Sequence, residues 1–220
     1  MINPVLVETP YMWKGNFTPP KNYGEIRDTI EMLRKDKELG SSLETGDSFS
    51  TVACSQYRPH KLEELIPFYS HLYKAIEGIY FEINQSPRVK NHTLEPVEDT
   101  GFHWIKYTDG FFPTDKLFLI ENSWFNIHYK SGRTIEHSHG DKVSFVCAYY
   151  LKVPENGGSF LVRSKDLNRT PGPWRNYLQP IPVETGDFLI FPGHTNHASE
   201  PNESDEERIV ITTNIVVNHF

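Results

Sequence analysis

Cysteine is scarce. The 220 residues hold 2, Cys54 and Cys147, far apart and with no CxxC spacing, which excludes a disulfide scaffold and a thiolate metal site and reads as two reduced, buried thiols. A basic excess is also missing: 22 Lys and Arg face 29 Asp and Glu, a formal net charge of -7. No overall positive field draws nucleic acid or anionic lipid. No segment approaches the roughly 18 uninterrupted apolar residues of a membrane span. Met1-Ile2-Asn3-Pro4 is not a basic stretch leading into an apolar run, so no leader is expected and the protein is expected to be soluble and intracellular. Repeats and low-complexity tracts are absent too.

What is present is a globular composition rich in rings, 37% hydrophobic and 13% aromatic, enough to build one core in a single domain over residues 1–220. The 16 Pro and 14 Gly are dispersed, which suits short strands joined by turns. The texture changes near residue 95. Before it, Ile26, Ile30 and Leu33 recur at helical spacing after Pro19-Pro20, and Leu62, Leu65, Ile66, Tyr69, Leu72, Tyr73, Ile76 and Tyr80 form a longer apolar stripe to about Ile83, with Pro67 near its start. From Trp104 onward the pattern is strand, turn, strand. Runs at 116–121, 123–129, 143–151, 159–162, 181–183, 188–191 and 208–217 are separated by turn signals such as Pro154-Glu155-Asn156-Gly157-Gly158. The expected class is α+β dominated by β: a jelly-roll core over 101–220 with a helical supporting region over 1–100.

Ten histidines are the other excess, and spacing gives three of them meaning. On a strand, His137 and His139 project from the same face. A later apolar strand, Phe188–Phe191, runs through Pro192-Gly193 to His197. Antiparallel strands bring such distant positions together, so three imidazoles can take one side of a metal ion and leave the other open. Each histidine alone reads equally as an ordinary polar residue. Arg208 opens the alternating strand Ile209–Ile215. Facing inward, its guanidinium calls for an anion, and a carboxylate fits its fork; facing outward, it pairs with Asp205-Glu206-Glu207.

Trp124-Phe125-Asn126, Tyr129, Gly132, His137-Ser138-His139, Ser144-Phe145-Val146, Tyr149-Tyr150-Leu151, Phe191-Pro192, His197 and Glu207-Arg208-Ile209, in this order, resemble the 2-oxoglutarate and Fe(II)-dependent oxygenases. More narrowly they resemble a branch related to prolyl 4-hydroxylases and common in bacteriophages. The resemblance spans about residues 104–218 and implies a double-stranded β-helix, with Fe(II) and 2-oxoglutarate as cofactors. It also implies conversion of the cosubstrate to succinate and CO2 as a substrate is hydroxylated, in the cytoplasm of a bacterial or phage-infected cell. His137 and His197 become iron ligands, Arg208 the anchor of the distal carboxylate, and Tyr150 or Tyr129 a phenol donor to it. Alternation favours Tyr150, since Phe145, Cys147 and Tyr149 share one face and Val146, Ala148 and Tyr150 the other. Asn126 and Asn214 line the site or serve as buried structural amides.

The second ligand has two registers. His137, His139 and His197 leave the turn Gly140-Asp141-Lys142 intact, whereas His139, Asp141 and His197 restore the superfamily's HxD. The first is favoured because Asp141 leaves little room to reverse into the strand beginning near Val143. His128 and His194 are candidates to support the ligands; His60, His71, His92, His103 and His219 carry no assignment. A cupin-like three-histidine protein acting without 2-oxoglutarate, and a non-catalytic jelly-roll binding or structural protein, are the rival readings. The substrate, a small molecule or a peptide, is not legible. Trp104, Trp124 and Trp174 suit either a pocket mouth or the core, and the connection 163–179 with Lys165, Arg169 and Arg175 suits a substrate loop or a solvated one. The oligomeric state is open.

Overall fold

The aromatic and β-branched runs pair into antiparallel sheets, and a computed structural model describes residues 12–35, 44–54, 57–84, 118–163 and 178–217. The strands are β1 (Trp13–Asn16), β2 (Glu44–Thr45), β3 (Ser48–Ser50), β4 (Phe118–His128), β5 (Arg133–Thr134), β6 (Phe145–Lys152), β7 (Phe160–Arg163), β8 (Leu178–Ile181), β9 (Asp187–Pro192), β10 (His197–Ser199) and β11 (Arg208–Val217). Helix α1 is Tyr23–Arg34 and α2 is Ile66–Asn84. The larger sheet runs β1-β9-β6-β11-β4-β3, and a smaller one runs β10-β7-β8. This is the jelly-roll core, with helices against one face.

Two buried clusters explain why β6, β9 and β11 read as nearly continuous apolar runs. Phe145, Cys147 and Tyr149 pack with Leu65, Phe68, Tyr69, Leu72 and Ile76 of the helical region. Val146, Ala148 and Tyr150 face the other way, toward Phe160 and Val162 of the small sheet. A strand covered on both faces loses its polar alternation. The Phe68 ring stacks on Tyr149 at 3.8 Å, and burying each such side chain stabilises the fold by about 1.5–3 kcal/mol.

Three features differ from the sequence expectation. The runs at 116–121 and 123–129 form one strand over their described part, because Asn214 pairs with Asn122 and Ile215 with Ile120, leaving Glu121 as an extra residue. That bulge reverses the alternation of β4: Phe118 and Ile120 face the helices before it, Phe125 and Ile127 after it. Trp124, Asn126 and His128 are thereby turned inward. Second, β1 and β3 are the edge strands of the large sheet, so residues 1–100 are not purely a helical support. At three or four residues each, they carry no periodic signal. Third, the strand expected at 181–183 is β8, ending at Ile181. Pro67 is the second residue of α2, where its missing N–H costs no helical hydrogen bond. Among the described residues, no helix is long and apolar enough to cross a membrane.

Candidate metal centre and anion pocket

His137 does not lie on a regular strand; it forms an isolated bridge with His197. The N–H of His137 donates to the His197 carbonyl at 3.0 Å, that of His197 returns the bond at 2.9 Å, and the His139 N–H donates to the Gly193 carbonyl at 2.9 Å. This short ladder does what a strand was expected to do. Gly193 is required there, because a Cβ would stand 2.0 Å from the Val143 carbonyl oxygen. The ligand-type nitrogens of His137, His139 and His197 all lie within 4.8 Å of one another. Asp141 stands exposed in its turn, outside the group.

The rings are held in a state suited to a cation. Nδ1 of His137 lies 2.9 Å from the Ile135 carbonyl, and Nδ1 of His197 lies 2.9 Å from that of Thr195. A carbonyl only accepts, so each Nδ1 carries a proton, which in the neutral ring leaves the Nε2 lone pair for a metal. Nε2 of His139 is buried with no hydrogen-bond partner, an arrangement costly without a ligand. Trp124 stacks on His139 and Phe160 on His197, with centroids 5.8 and 5.4 Å apart. Three converging imidazoles, two of them fixed through Nδ1 and the third with an orphaned nitrogen, fit a divalent transition metal such as Fe(II).

Burial, and then the nearby His137, pushes His139 down to about 4, and burial holds His197 well below its ordinary value. His60, bonded through Nδ1 to the Ser123 hydroxyl at 2.6 Å, is also lowered by burial to about 4. Its role is structural. Histidines whose folded values lie below 6.5 bind fewer protons folded than unfolded, so the stability they contribute is complete above pH 6.5 and declines toward pH 4. The metal-free protein is therefore expected to show a thermal midpoint that is level above pH 7 and falls steadily below about 6.5; a midpoint unchanged down to pH 4.5 contradicts neutral buried imidazoles.

Arg208 is fully buried, at 0% exposure, so the outward reading does not hold. The acidic run before it is engaged elsewhere: Asp205 with Lys130 at 2.6 Å, Glu206 and Glu207 with Lys152 at 2.9 and 3.3 Å. The guanidinium donates to Nδ1 of His128, the Ser199 hydroxyl, and the carbonyls of Gly157 and Glu200. The turn signal at 154–158 thus cradles this arginine. At Gly158, with φ of +79°, an added Cβ would lie 3.0 Å from Nη1.

An open cavity is lined by His137, His197, Arg208, Tyr150, Asn126 and Trp124, among others. Tyr150 is held protonated by burial. Asn126 accepts from Ser50 at 2.7 Å and donates to Thr212 at 3.2 Å, so its amide is tied into the wall. Tyr129 does not line the cavity: its hydroxyl donates to Glu31 and its ring lies under Arg34. It belongs to the junction with α1, where the alternation of β4 and the end of that strand direct it. Asn214 reaches Glu121 through Nδ2 at 3.3 Å and its side chain also meets the His139 ring. His194 is exposed, whereas His128 is central to the arginine pocket. Sequence reasoning missed Thr134, Ser199 and Phe160, whose only signal is placement beside strands that become neighbours after folding. Trp104, Trp174, His92, His103, His219 and residues 164–177 lie outside the described residues.

Residues 122–214, which include the three histidines and Arg208, match the family described as "Putative 2OG-Fe(II) oxygenase". No curated protein matches. Among solved structures, a Pseudomonas putida prolyl-4-hydroxylase aligns at 13% identity over 96% of this chain and 95% of its own, with a TM-score of 0.53. AviO1 from Streptomyces viridochromogenes aligns at 11% identity over 94% and 90%, with a TM-score of 0.52. At such identities these likenesses show the fold. Against three further structures the chain spans 50%, 44% and 28% of their length. Over residues 122–214 the chain is thus similar to a family whose description implies Fe(II) and 2-oxoglutarate, and it shares the fold of solved structures that include a prolyl-4-hydroxylase.

Proposed function

We propose that the chain is a single-domain dioxygenase that hydroxylates a small-molecule or peptide substrate. His137, His139 and His197 hold Fe(II), and Arg208 with Tyr150 binds the distal carboxylate of 2-oxoglutarate. The observation that carries this reading is the convergence of three imidazoles, two of which, His137 and His197, line one cavity with a fully buried guanidinium. Fe(II) supplies the redox chemistry, in which dioxygen and 2-oxoglutarate yield succinate, CO2 and one hydroxyl on the substrate. The chain's own residues bind, orient and exclude water. Nδ1 protons on carbonyls fix two ligand rings, and Trp124, Phe160 and Phe191 pack around His139 and His197. Arg208 supplies a fixed, buried positive charge for a carboxylate at the closed end, where low polarity strengthens the pairing. Tyr150 keeps its proton and donates it.

The reading is tested by succinate formation dependent on added Fe(II). Within it, the two ligand registers separate cleanly. His139→Ala is expected to weaken metal binding by at least about tenfold, while Asp141→Ala leaves the metal dissociation constant within about twofold, since exposed Asp141 stands apart from the ligand group. The reverse order, measured by titration with Mn(II) or Co(II), makes Asp141 the ligand. A neutral ligand set also suits a cupin-like three-histidine enzyme that binds its substrate directly; there Arg208 is dispensable.

A further inference from the structure

Resting on the proposal that Arg208 anchors the cosubstrate, we infer that His128 is a positioning residue: it orients the guanidinium and ties it to the segment that carries the metal-binding histidines. His128 is 2% exposed and sits directly opposite Arg208 in the β4–β11 ladder. Its Nδ1 lies 3.3 Å from Nε and 3.1 Å from Nη2 of Arg208, and its Nε2 lies 3.0 Å from the Thr134 hydroxyl. Arginine only donates, so Nδ1 is an acceptor and the ring proton sits on Nε2, facing Thr134. The state of the ring is therefore set by its two neighbours.

The network closes on itself. Ser199 accepts from Nη2 of Arg208 at 2.9 Å and from the Thr134 N–H at 3.0 Å. Thr134 stands three residues before His137, and Ser199 two after His197. The guanidinium is thus aimed from one side by a ring that shares its ladder position, and from the other by a hydroxyl on the ligand-bearing strand. An arginine has several rotatable bonds, and a buried acceptor contacting both Nε and Nη2 sets the plane of the fork. Without that acceptor the cosubstrate must supply the ordering itself on binding. The Glu121 bulge is what points His128 inward, so an irregularity at one end of β4 serves a site at the other.

The test measures two affinities in the full chain under argon: Mn(II) alone, and 2-oxoglutarate at saturating Mn(II). His128→Phe retains ring volume but no acceptor; His128→Asn retains an acceptor at the place of Nδ1. The Phe variant is expected to bind 2-oxoglutarate about tenfold more weakly, the Asn variant within about threefold of the unsubstituted protein, and both to bind Mn(II) unchanged. Thr134→Val, at a partly exposed position, is expected to show the same split at about threefold, and keeps the test open should the Phe variant not fold. Equal 2-oxoglutarate affinity in the Phe variant overturns the inference, and so does equal weakening by Phe and Asn, which makes the ring only a filler. Failure of the unsubstituted protein to bind 2-oxoglutarate at all is a different result, and refutes the proposed function instead.

Discussion

His197→Ala is expected to lower affinity for Fe(II) by more than about a hundredfold, since the hydrogen-bonding partners of metal ligands alone are worth roughly 10- to 100-fold, and to reduce succinate formation to background. Of the three proposed ligands, His197 is the most confined. It is 6% exposed, bonded through Nδ1 to Thr195, bridged by backbone to His137, and packed against Phe160 and Phe191. Among the described residues the group of possible ligands holds only His137 and His139 besides it. Removing the ring also leaves a space among aromatic side chains, so the thermal midpoint falls as well. His197→Gln separates the two effects by keeping most of the volume: the midpoint recovers and the metal affinity does not. A variant lacking this imidazole that binds Fe(II) as before rules out the assigned ligand set.

The second large effect is at the closed end of the cavity. Arg208→Met keeps the alkyl stem and removes the charge, and is expected to weaken 2-oxoglutarate binding by roughly 10²- to 10³-fold, the scale of breaking a buried charge pair. Metal affinity should change little. Arg208→Lys keeps the charge without the planar fork and falls between. Stability is also lost, because the carbonyls of Gly157 and Glu200 are left without this donor in a buried site. Isothermal titration distinguishes the outcomes. Unchanged cosubstrate affinity in Arg208→Met would favour the three-histidine enzyme that ignores 2-oxoglutarate.

The sequence made the inner strands legible because they are periodic, and the cluster of His137, His139 and His197 legible from their spacing, although an isolated bridge rather than a strand holds His137. Alternation along 145–150 sorts Tyr149 toward the helices and Tyr150 toward the cavity, and the same rule turns Arg208, Val210 and Thr212 inward. Where period fails, the sequence misleads. The bulge at Glu121 carries no residue-type signature and changes which β4 residues meet the site. Alternation favours Tyr150 over Tyr129 as a phenol donor, but only the end of β4 shows where Tyr129 goes, to Glu31 and Arg34. The arginine cradle joins four elements by contacts between residues as far apart as Gly157 and Arg208, and neither propensity nor spacing reports contacts of that range. Edge strands β1 and β3 were hidden for a simpler reason: three or four residues give no pattern to read.

The most direct measurement is a titration of 2-oxoglutarate into the Fe(II)-loaded protein under argon, beside the metal-free protein. The account predicts saturable binding that requires the metal and is lost in both His197→Ala and Arg208→Met. Tightly held four-coordinate zinc, with no binding of 2-oxoglutarate in any metal form, would contradict it.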